Sequence, residues 1–155
     1  PGLGALRELV SIPVVGPCAS AVHLAAQLGN RFAILSPLEE NRPRVERHVE
    51  ALGFEARLAA VRGIGMSVLD VARDRAAVLD RLAEIGRAVI RDDHADVLVL
   101  GCMSMGFLGI TDDVQKRLEI PVVNPVVAAL KTAEMIVALG LSHSRLAYPT
   151  PGKLA

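Results

Sequence analysis

The chain holds two cysteines in 155 residues, Cys18 in "IPVVGPCAS" and Cys102 in "VLVLGCMSM". In both stretches an apolar run ends in glycine, the thiol comes at once or one proline later, and a serine follows two residues on. A thiol at the start of a helix meets backbone N–H groups without partners and the positive end of the helix dipole, which favour thiolate. Thiolate is a nucleophile or a base. Gly16, Ala19, Ser20, Gly101 and Ser104 are small, so a substrate can come close to either thiol. Nucleophilic catalysis needs a base beside the thiol. None of the four histidines, His23, His48, His94 and His143, forms a recognisable Cys–His pair, and His23 reads as packing or surface. No C-x-x-C, H-E-x-x-H or acidic triplet has metal-ligand spacing, so no metal is expected. Symmetry offers another chemistry. Two thiols facing one carbon from opposite sides can remove a proton as thiolate and return one as thiol, inverting the centre without a cofactor. Cysteine is also a common packing residue. From spacing alone, two core thiols and one shared site both remain open. Ser20 and Ser104 read equally as ligand contacts or first-turn helix residues, and Met103 and Met105 as pocket lining or core.

The elements that must carry these groups alternate. "ALRELV" reads as the end of a helix, "IPVVG" as a strand, and "CASAVHLAAQLG" as a helix closed by Gly29. Strands are predicted in "RFAILS", "FEARLAAVRG", "ADVLVLG" and "IPVVN". Helices are predicted in "PLEENRPRVERHVEALG", in "RDRAAVLDRLAEIGRAVIRDD", in "TDDVQKRLE" with Thr111 as N-cap, and in "PVVAALKTAEMIVALG" with Pro125 in its first turn. The tail "LSHSRLAYPTPGKLA" reads as irregular. Strand–helix alternation means an α/β fold with a parallel sheet, whose ligands bind at the carboxyl ends of the strands. Both cysteines fall there, with Ser36, Arg62, Gly63 and Asn124. The repeated strand–Gly–Cys–x–Ser pattern suggests duplication and makes Ser20 and Ser104 equivalent.

Composition narrows the partners. Apolar residues make up 52% and aromatics 3%, as in α/β layers of small side chains. Lys plus Arg equal Asp plus Glu at 17 each, so charge gives no reason to expect nucleic acid or an anionic membrane. No uninterrupted apolar run reaches membrane-spanning length, and no secretory signal opens the sequence. A cytoplasmic setting with reduced thiols is expected. Because helix-like material runs straight into a strand at the front, an N-terminal part of the fold is expected to lie before Pro1.

The stretches "PVVGPCASAVHLAAQLGNRFAILS", "VRGIGMSVLDV", "ADVLVLGCMSMG" and "IPVVNPVVAALKTAEMIVALGLSHSRLAYPTP" together resemble the aspartate/glutamate/hydantoin racemase superfamily, and look closest to its hydantoin and allantoin racemase branch. The resemblance implies a cofactor-independent racemase of two pseudo-symmetric Rossmann-like lobes, with the site in the cleft between them and one cysteine from each. It implies Cys18 and Cys102 as the acid–base pair; the residues around them, Ala19, Ser20, Gly101, Met103 and Ser104, are then expected toward the substrate. On that division residues 1–30 are the remainder of the first lobe, 31–120 the second lobe, and 121–155 a strand and helix returning to the first. The family's first strand, with its asparagine-rich loop, would precede Pro1. "GCMSM" replaces the more usual Gly-Cys-Ala-Gly-Met and sets bulkier groups beside Cys102. The implied substrate is a 5-substituted hydantoin, allantoin or a related amino-acid derivative, and the implied assembly a homo-oligomer. Alternatives are an aspartate or glutamate racemase, a maleate isomerase or arylmalonate decarboxylase-like enzyme, and a non-catalytic binding domain of the same fold.

Overall fold

A computed structural model describes residues 2–152. Four parallel strands form one sheet in the order β2-β1-β3-β4: β1 Phe32–Ser36, β2 Leu58–Gly63, β3 Val97–Leu100 and β4 Val122–Val123. The helices are α1 Leu3–Leu9, α2 Pro17–Leu28, α3 Arg42–Ala51, α4 Val68–Arg73, α5 Arg75–Asp93, α6 Met103–Phe107, α7 Thr111–Leu118 and α8 Pro125–Ala138.

Every residue of β1, β3 and β4 is buried, as expected of parallel strands covered on both faces. Strand alternation divides them between two cores. Ala33, Leu35, Leu98 and Leu100 pack with Val78, Leu82 and Val89 of α5 and Val114 and Leu118 of α7. Phe32, Ile34, Val97 and Val99 pack with Ala21, Val22 and Ala25 of α2, Val49 of α3 and Ala128 of α8. On the first face α5 and α7 approach closely because Gly86 has no side chain; a Cβ there would stand 2.5 Å from Leu118 Cδ1.

Three expectations are corrected. The segment 12–16 is not a strand. Among the described residues no strand pairs with it, and side chains occupy the backbone groups of Val14 instead. The Val14 N–H donates to His143 Nε2 at 2.6 Å, and Arg7 Nε donates to the Val14 carbonyl at 3.0 Å. The strand expected from Phe54 starts only at Leu58, because β1 begins at Phe32 and Leu58 is its partner there. Glu55–Arg57 forms a 3-10 turn, and the Arg57 guanidinium caps the carbonyls of Gly29 and Asn30. Thr111 is the first residue of α7 and not its cap; Ile110 holds the cap position, and α7 has no side-chain cap. The short helix α4 was absent from the pattern of predicted elements, although Ser67 and Asp70 form a full capping box at its start.

Candidate active site

Both cysteines reach one cleft of about 240 Å³ at the carboxyl end of the sheet. Ile34, Val99, Leu100 and Gly101 line it from the strands, Pro17, Cys18 and Ala21 from α2, Val45 from α3, Cys102 and Met103 from the β3–α6 corner, and Pro125 from α8. Both thiols are free and half-buried.

The two corners are built differently. On the β3 side, Gly101 closes the strand by donating its N–H to the Leu35 carbonyl at 2.7 Å. A Cβ on Gly101 would sit 2.6 Å from that carbonyl oxygen, so only glycine lets the chain turn so tightly against β1. Cys102 follows in extended conformation as the N-cap of α6. Its Sγ lies 2.8 Å from Ser104 Oγ. On the other side Gly16 is the N-cap of α2, Pro17 its first residue and Cys18 its second. The extra proline moves the thiol into the helix proper. Cys18 and Ala21 therefore share the face toward the cleft, one helical turn apart.

This difference breaks the expected equivalence of the serines. Ser104 stands beside its cysteine. Ser20 is buried further round α2 and, with Ala19, lines a separate cavity between α2 and α8. Of the residues assigned to the substrate from sequence, Gly101 and Met103 line the cysteine cleft, Ser104 touches Cys102, and Ala19 and Ser20 face elsewhere. Residues not named from sequence, Ile34, Val45, Val99 and Pro125, complete an apolar wall. Val45 and Pro125 had a positional signal, on the first turns of covering helices; Ile34, in the middle of β1, and Val99, inside β3, had none. Met105 is wholly buried core. His23 is exposed, bonds the Ala19 carbonyl through Nδ1 at 2.8 Å and packs edge-on against Phe54.

Burial pushes the Cys18 thiol above its ordinary value, and Arg44 draws it part of the way back. Desolvation is the larger of these two effects, so the protonated thiol is favoured at Cys18. Among the described residues no three of His, Cys, Asp and Glu gather as a metal site, and no helix is long and apolar enough to cross a membrane.

The same arrangement of elements occurs in known enzymes. Solved structures of allantoin racemase from Pseudomonas fluorescens and from Klebsiella pneumoniae superpose with TM-scores of 0.92 and 0.91, at 35% and 29% identity, each over 98% of this chain. The matched region is 64% and 62% of those two proteins. The hydantoin racemase of Pseudomonas sp. strain NS671 is 38% identical over 154 residues, and that of Rhizobium meliloti 37% over 155. The chain spans 61% and 62% of the length of those two relatives. The sequence pattern of the family described as Asp/Glu/Hydantoin racemase matches residues 1–133. The chain belongs to the Asp/Glu/hydantoin racemase family.

Proposed function

We propose that the protein is a racemase that inverts a carbon next to a carbonyl in a five-membered cyclic ureide, a 5-substituted hydantoin or allantoin, by proton transfer between two thiols and without a cofactor. The observation that carries this reading is the lining of one small apolar cleft by Cys18 and Cys102 together. The named relatives, hydantoin and allantoin racemases, supply the substrate class.

The chemistry balances without another reagent. One sulfur, as thiolate, takes the α-hydrogen: the C–H bond breaks, an S–H bond forms, and the electron pair spreads onto the adjacent carbonyl as an enolate. The opposite thiol then gives its proton to the other face of the carbon. The centre is inverted and the two sulfurs have exchanged roles. Burial favours the protonated form of Cys18 and suits it to the donor's role, with Cys102, beside Ser104, as its partner. The first-turn amides of α2 have no acceptor within the helix and stand at the same end of the sheet, where they favour negative charge on the enolate oxygen. An apolar wall strengthens both interactions by excluding water.

In this reading residues 31–120 are one lobe, and 1–30 with 121–155 belong to the other. The packing of α2 on α8, through Ala21, Ala25 and Ala128, supports joining the two outer segments. The protein is a cytoplasmic homo-oligomer, which light scattering at micromolar concentration tests; a monomer counts against it.

The deciding experiment is proton NMR of each enantiomer of allantoin and of 5-substituted hydantoins in deuterated buffer, with the full-length protein and its Cys18→Ser and Cys102→Ser variants. Loss of one positioned acid or base costs about 10²- to 10⁴-fold, so each variant stops racemising. Each keeps α-hydrogen exchange with the enantiomer whose hydrogen faces the remaining thiol. A Cys18→Ser protein that racemises at the wild-type rate removes Cys18 from the relay, and the two-thiol mechanism fails. A Cys102→Ser protein that does so ends the proposal.

A further inference from the structure

Cys102 sits at the start of a helix too short to hold itself. α6 has five residues, and a single turn fixes many dihedral angles for few hydrogen bonds. Something outside it must set its position. Met105 anchors it from below, wholly buried in the core. Phe107, at its end, is exposed and anchors nothing.

Arg75 Nε donates to the carbonyl of Leu108, the C-cap residue of α6, at 3.3 Å, and a second side chain ties the helix to both α7 and α8. Asn124, directly after β4, donates from Nδ2 to the Gly106 carbonyl at 2.9 Å and to Thr111 Oγ1 at 3.2 Å. Its Oδ1 accepts from the Val126 N–H at 2.9 Å, capping α8. Gly106 in turn donates its own N–H to the Cys102 carbonyl at 3.3 Å. Thus one residue, Gly106, links the Asn124 amide to the backbone of Cys102. The contact is also close: a Cβ on Gly106 would stand 2.6 Å from Asn124 Oδ1. The next residue, Pro125, is itself part of the cysteine cleft. Asn124 therefore joins three helices at the point where the cleft has its Cys102 side.

We infer that Asn124 is the positioning residue for Cys102: its amide fixes α6 against α7 and α8, and thereby sets the thiol relative to the opposite wall of the cleft. The inference rests on the proposed reaction for its effect on rate, but not for its effect on Cys102 itself. The donor and acceptor halves of the side chain separate the two duties. Asn124→Asp keeps an oxygen for the α8 cap, where aspartate serves as well as asparagine, and loses both donated bonds. It also turns a carboxylate oxygen toward the Gly106 carbonyl.

The test uses the full-length protein. Asn124→Asp is expected to lower the urea midpoint, through the two lost bonds and the oxygen–oxygen contact, while remaining folded without denaturant. Its kcat should fall by about tenfold or more with KM changed by less than about threefold, because misplacement of a reacting group weakens the transition state and not substrate binding. Independently, the rate of iodoacetamide modification of Cys102 relative to Cys18, read by peptide mass mapping, should change at least about twofold while Cys18 stays constant. Gly106→Ala, which pushes the same contact apart with Asn124 intact, should give the same pair of changes and serves if Asn124→Asp does not fold. An inactive wild type with an altered alkylation ratio in the variant sinks the proposed reaction and leaves the tether standing. An unaltered ratio in the variants overturns the tether, whatever the activity.

Discussion

Cys102 Sγ and Ser104 Oγ lie 2.8 Å apart, while Ser20, at the matching distance in sequence from Cys18, is buried further round α2 and lines another cavity. The two thiols of the cleft are therefore unequal: one has a hydroxyl partner and the other a dry apolar setting. A net hydrogen bond contributes about 0.5–1.5 kcal/mol, a factor of roughly 2 to 13. Ser104→Ala should lower kcat by that factor and leave KM nearly unchanged, measured by polarimetry from each enantiomer. An unchanged kcat in both directions would show that the hydroxyl does nothing for Cys102.

The raised Cys18 thiol has a consequence for stability. The folded protein holds this proton to higher pH than the unfolded chain does, so the folded state binds more protons across that interval. The contribution is present in full below the ordinary thiol range and is lost as pH rises through the folded-state value. The stability difference between wild type and Cys18→Ala should thus shrink on going from pH 7 to pH 10, as followed by urea unfolding. A difference that grows with pH would contradict the desolvated setting.

Gly101 separates β3 from the Cys102 corner. A methyl group there meets the Leu35 carbonyl oxygen at 2.6 Å and Ile34 Cγ2 at 3.0 Å, and both belong to the central strand. Gly101→Ala should destabilise the fold by about 1–3 kcal/mol, the usual cost of overpacking, and lower activity with it. The urea midpoint measures the first. A midpoint equal to that of the wild type would mean the corner can open without cost.

Asp96 fixes the entry to β1 from the far end of the sheet. Its carboxylate accepts from the Asn30 N–H at 2.8 Å and from the Arg31 N–H at 2.9 Å. Asp96→Ala leaves both amides without this partner and should cost about 1–3 kcal/mol. Asp96→Asn keeps one acceptor oxygen and should cost less. Since this end is opposite the cleft, kcat of the folded fraction should not change, which a comparison of activity with the folded population by circular dichroism will decide.

The sequence by itself determined the layers. The short apolar runs Phe32–Leu35 and Val97–Leu100, alternating with helical patterns, read as strands covered on both faces, and the 3.6-residue spacing of Val78, Leu82 and Val89 makes α5 one of the covers. Strand–helix alternation then put Cys102 and Asn124 at the ligand end of a parallel sheet. What only the tertiary structure decided is how neighbours use each group. "IPVVG" and "IPVVN" are almost the same pentapeptide, yet the second contributes β4 and the first no strand. Backbone groups need a partner, and β3 supplies one to Val122 and Val123, whereas Arg7 and His143 supply Val14. The same holds for the repeated Cys-x-Ser. One inserted proline changes the helical register, so that Ser104 meets its thiol and Ser20 turns away. Asn124 followed the same rule. The sequence placed it at the carboxyl end of a strand, but its two duties, capping α8 and holding α6, depend on the fold, which brings Gly106 against it across 18 positions.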